Sequence, residues 1–91
     1  MHGESKVPGG KLVIADFEVE NGKLARVSIN GDFFLEPPEA LGKISASLEG
    51  ADIGEDEGEL ARRVRDSLGE NVEMVGFDAE SVATAVRRGL S

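Results

Sequence analysis

The chain has no cysteine, tryptophan or tyrosine, and only one histidine, three prolines and four phenylalanines among its 91 residues. Without cysteine there is no disulfide reinforcement, thiolate metal site, iron–sulfur scaffold or cysteine nucleophile. No apolar run approaches the roughly 20 residues of a membrane span, and the opening MHGESKVPGGK has no signal-peptide apolar core. The cytoplasm is therefore the expected location, with no membrane contact. Basic residues are outnumbered, ten Lys and Arg against eighteen Asp and Glu, for a formal net charge of −8. That balance argues against nucleic acid as a partner. His2, the single histidine, reads as a tail residue without a partner for a triad or a metal. A small single domain remains, burying roughly 60–65% of the surface of its unfolded chain.

The scarce positive charge is concentrated. Residues 5–15, SKVPGGKLVIA, hold Lys6 and Lys11 and no acid, a local charge of +2 that leaves −10 for the rest. Residues 1–10 read as a flexible lead-in, polar and interrupted by three glycines and Pro8. KVPGGK is not a phosphate loop, because a strand pattern and not a helix follows it. It does place two ammonium groups and bare glycine amides together. Lys6, Gly9, Gly10 and Lys11 are therefore expected to contact an anion, such as a phosphate held by another surface.

Residues 11–91 read as one domain. From Lys11 the pattern alternates, with Val13, Ala15, Phe17 and Val19 on one face; after Asn21-Gly22 a second run places Ala25, Val27 and Ile29 on one face. The parity of the runs favours a three-residue loop, Glu20-Asn21-Gly22. That loop pairs Val19 with Lys23, Phe17 with Ala25, Ala15 with Val27 and Val13 with Ile29, and sets Asp16 opposite Arg26. The strand phase then carries Phe33 to the core and turns Phe34 outward. Pro37-Pro38 ends the extended run, with Pro38 at the start of a helix that buries Leu41, Ile44 and Leu48 and stops at Gly50. A second helix runs from about Asp56 to Leu68, burying Leu60, Val64 and Leu68. NVEMVGF is a short third strand or an apolar connection. The last helix opens at the N-cap Asp78 and buries Val82, Val86 and Leu90. The expected class is α+β: a small antiparallel sheet with about three helices on one face.

Other motifs fail on context. RDSLG resembles the modified serine motif of acyl carrier proteins, but Ser67 falls at a helix end, whereas there the serine opens a helix. Lys23 beside a turn resembles the lysine of lipoyl and biotinyl domains, which are flattened all-β barrels and lack three amphipathic helices. A calcium loop counted from Asp52 would put Gly54 and Arg63 where oxygen ligands belong. These residues supply no self-sufficient catalytic site or metal site. They point to a binding or accessory module, with Asp32, Phe33 and Phe34 as its candidate interface.

The run KVPGGKLV, followed by FEVENGKLARVSINGDFFLEPPEAL and a helix ending in LEG, resembles the C-terminal accessory domain of lipoate–protein ligases. The hairpin with GDFF, the prolines and an amphipathic helix carry the resemblance, more weakly beyond Asp52. The resemblance implies a subunit that lacks catalytic residues of its own and works with a separate catalytic subunit in a heterodimer. That pair would activate lipoate with ATP and Mg to lipoyl-adenylate, then transfer the lipoyl group to a lysine of an acceptor domain. ATP, Mg and lipoate are expected in the complex and not on this chain alone. The alternative is a stand-alone interaction or carrier-like module with no ligase partner.

Overall fold

The computed structural model of the protein describes residues 1–69 and 72–91. In chain order it contains β1 (His2–Lys6), β2 (Leu12–Glu20), β3 (Lys23–Gly31), β4 (Phe34–Glu36), α1 (Ala40–Leu48), α2 (Glu57–Leu68), β5 (Glu73–Val75) and α3 (Ala79–Leu90). The first three strands form an antiparallel sheet in the order β1-β2-β3, while β4 and β5 pair as a separate antiparallel ribbon. Helices pack on the sheet's inner face, α3 over β1 and β2, α1 over β3, with α2 touching both helices. This is the expected α+β class.

The leading residues differ from expectation. Residues 2–6, read as part of a flexible lead-in, form β1 and pair with β2 from His2↔Asp16 to Lys6↔Leu12. Gly3 and Ser5 face the core. A Cβ on Gly3 would run into the carbonyl oxygen of Ala85 and come within 2.5 Å of the Gly89 nitrogen. This glycine therefore permits close packing of α3 on the strand. Val7 to Gly10 close the hairpin, with the Gly10 amide donating to the Val7 carbonyl at 2.7 Å. Pro8 and Gly9 occupy the central positions, Gly9 at φ 72°, as a type II turn requires.

The second hairpin also departs from its expected register. Its loop has two residues, Asn21 (φ 53°) and Gly22 (φ 76°), with Glu20 opposite Lys23 and Val19 opposite Leu24. Leu24 therefore faces the core in place of Ala25. The extra residue demanded by parity sits mid-strand: the register shifts between Asp16 and Glu18, where Arg26 (φ 52°) and Val27 oppose Phe17 in a β-bulge. Val27, the second bulge residue, and Ile29 beyond it face the core. The Glu49 carboxylate accepts both bulge amides, from Arg26 at 2.9 Å and Val27 at 2.5 Å. Asp16 pairs with Ser28, and the Arg26 guanidinium reaches Glu18 and Glu20.

The helices follow their sequence signals closely. Asp56 and Glu59 form a capping box at the start of α2, as Asp78 and Ser81 do for α3. Leu60, Val64 and Leu68 are buried, with Ile44, Leu48, Val82 and Val86; Leu41 and Leu90 are only partly so. The first helix begins at Ala40, two residues after Pro38, whose carbonyl accepts from Leu41. Of the NVEMVGF segment, Asn71 lies outside the described residues; Glu73–Val75 form a strand that pairs with β4 and not with the main sheet.

Candidate functional site

Backbone contacts bring three separate segments to one end of the molecule. Lys6 and Lys11 flank the tight turn between β1 and β2, and both are exposed. The Lys11 amide donates to the Gly76 carbonyl at 2.9 Å, and the next amide, of Leu12, donates to Asp32 Oδ1 at 2.8 Å. The cationic turn is thereby tied to the end of β5 and to the residue that precedes the two phenylalanines. Both sets of expected site residues, Lys6/Gly9/Gly10/Lys11 and Asp32/Phe33/Phe34, meet here.

The two phenylalanines separate because β3 ends at Gly31, before them. Phe33 turns inward and stacks on Phe77, ring centroids 3.8 Å apart and planes at 19°. Phe77 is buried and leads into α3. Gly31 makes room: a Cβ there would strike the Leu12 carbonyl and lie 2.6 Å from the Phe33 ring. Phe34 begins β4 and points outward, 61% exposed, directly opposite Val75, itself 49% exposed. Val75, Gly76 and Phe77 are site residues that the sequence pattern alone did not single out. Strand pairing discloses Val75, the Lys11 hydrogen bond discloses Gly76, and ring stacking discloses Phe77.

The geometry narrows the anion-contact group. Gly10's amide is engaged by Val7 and Lys11's by Gly76, so neither points to an external anion. Gly9 stands at the tip of the turn with open space around it. The cationic end thus offers two lysine side chains and one glycine tip. Asp32 acts first on its own chain, through the Leu12 amide.

Other charged clusters lie away from this end. His2, expected to lack partners, has Nδ1 2.7 Å from Asp16 and Nε2 2.6 Å from Glu4, and hydrogen bonds to Glu4 and then Asp16 hold its pKa above the ordinary 6.5. On α2, Arg63 grips Glu55 with two hydrogen bonds of 2.7 Å, which lowers the Glu55 pKa. Arg63 and Glu55 border a shallow open depression with Asp56, Glu59 and Arg62.

No protein-family profile matches the chain, and no curated relative is found. The fold is similar to that of a solved chain from an archaeal lipoylation system of Thermoplasma acidophilum, described as a bi-partite lipoate protein ligase and its E2 lipoyl domain. The match has a TM-score of 0.77 and 21% identity, covering 96% of this chain and 93% of that chain. At that identity the likeness is one of fold.

Proposed function

We propose that the chain is the accessory subunit of a two-subunit lipoate–protein ligase, required with a separate catalytic subunit for ATP-dependent activation of lipoate to lipoyl-adenylate. The observation that carries this reading is the near end-to-end fold match to a component of a lipoylation system. Of the components named there, a lipoyl domain is a poor counterpart. Such domains are flattened β-barrels, whereas the described residues of this chain include three packed helices. A small ligase subunit of similar length fits.

Adenylation develops charge on phosphates, and cations brought to that charge lower its energy while a closing surface excludes water. Lys6 and Lys11 are suited to this task, held on a turn whose backbone is anchored at Gly76 and Asp32. ATP, Mg and lipoate would be held by the catalytic subunit, and a lysine of an acceptor domain would receive the lipoyl group. The carrier-like alternative has less support: Ser67 lies in the last turn of α2, its hydroxyl donating to the Val64 carbonyl at 2.7 Å.

The test mixes the catalytic subunit with wild-type chain or Lys6→Ala/Lys11→Ala and follows pyrophosphate release. Wild type should stimulate the reaction, and the double variant should lose about tenfold or more of that stimulation. Equal stimulation by both removes the phosphate role; no stimulation by wild type removes the subunit reading itself.

A further inference from the structure

The ribbon of β4 and β5 has an outward face of four side chains. Phe34 stands opposite Val75, and Glu36 opposite Glu73, all exposed, while Leu35 and Met74 between them turn inward. Two features of this face serve the isolated chain poorly. The apolar pair leaves 61% of Phe34 and 49% of Val75 in water. The two carboxylates are directly cross-strand, an arrangement that repels, and among the described residues neither has a cation in ion-pair contact. Beyond Val75, the Gly76 carbonyl holds the Lys11 amide, so the cationic turn continues the same end. The surface is therefore ordered: positive turn, apolar pair, negative pair.

We infer that this ordered face is the docking surface for the catalytic subunit, which meets it with an apolar slot for Phe34 and Val75 and a basic side chain set between Glu36 and Glu73. The inference rests on the ligase reading above and extends it to residues Glu36, Glu73 and Val75. Opposed carboxylates without a cation are complementary to one supplied from outside, and the fixed order of charges permits one docking direction. A second copy fits less well. Each chain carries −8, so pairing two adds repulsion. Two three-residue strands also fall short of the roughly 800 Å² per partner of a stable complex. A larger subunit reaches ribbon and turn together.

Three proteins decide the matter: wild type, Glu36→Gln/Glu73→Gln and Val75→Asp. Each is melted alone, then titrated calorimetrically with the catalytic subunit and assayed for pyrophosphate release. The Gln pair, relieved of repulsion, should melt no lower than wild type yet bind about tenfold more weakly. Val75→Asp should bind more weakly by about tenfold or more, with an unchanged circular dichroism spectrum. If wild type binds and stimulates while both variants bind as tightly, the docking surface is wrong and the ligase reading stands. If wild type neither binds nor stimulates, both are wrong. Sedimentation that finds wild type dimeric and Val75→Asp monomeric gives the face to a second copy and overturns the inference. Should Val75→Asp misfold, the Gln pair still decides.

Discussion

Phe33 and Phe34 differ in what their removal costs. Phe33 stacks on buried Phe77 and ties the end of β3 to the start of α3, so Phe33→Ala should lower stability by about 2–4 kcal/mol. Phe34 leaves most of its ring in water, and Phe34→Ala should change the stability of the isolated chain by less than about 0.5 kcal/mol. Urea unfolding of both variants checks this, and similar losses would contradict the division of roles. At the other end of the sheet, His2 gives a pH prediction. Its folded pKa is raised by Glu4 and Asp16, so the protonated ring stabilises β1 fully below the ordinary value of 6.5. That contribution is lost as pH rises through the raised folded value. Amide exchange across β1 should therefore be slower, after correction for intrinsic rates, at about pH 5.5 than at about pH 8.5, and His2→Gln should remove the difference.

The bulge explains which elements were legible in the sequence. Alternation disclosed both long strands; apolar spacing, with Pro38 before α1 and the cap Asp78 before α3, disclosed the three helices of the described residues. Parity required one extra residue between the strands. The glycine of Asn21-Gly22 drew that residue into the loop, whereas it lies at Arg26, a residue type that does not advertise a positive φ. What holds it there is Glu49, distant in sequence, so no local pattern revealed it. Glu49→Ala should leave the Arg26 and Val27 amides without their partner and cost about 1–3 kcal/mol, measurable by thermal unfolding. A loss indistinguishable from zero would mean that water replaces the carboxylate. The leading strand was missed for a related reason: its glycine permits close packing on α3, a tertiary contact that composition reads as mobility. At the candidate site, Lys6, Lys11 and Phe34 were legible from residue type and phase. Val75 and the carboxylate pair were not, since they depend on which short strand pairs with which.

Over the whole molecule, the edges of the main sheet have little hydrogen bonding left to offer a partner strand. On the β3 side, the amides of Leu24, Arg26, Val27 and Ile29 are occupied by Ala51, Glu49 and Ser45; on the β1 side, α3 packs close and Arg88 bonds the Glu4 carbonyl at 3.0 Å. The docking surface inferred above lies instead on the ribbon and the cationic turn. Charge then sets a test of which side of this acidic chain faces its partner. The molecule extends 33 × 25 × 20 Å, two to three times the Debye length of about 10 Å at 0.1 M salt. Contacts at the turn are therefore felt over the acidic body behind it. If the turn faces anions in the complex, affinity for the catalytic subunit should fall as salt rises from about 0.05 to about 0.5 M, and Lys6→Ala/Lys11→Ala should flatten that dependence. If the acidic body faced an acidic partner instead, screening would relieve repulsion and affinity would rise with salt. An upward slope in wild type, or a downward slope unchanged in the double variant, would place the cationic turn outside the interface.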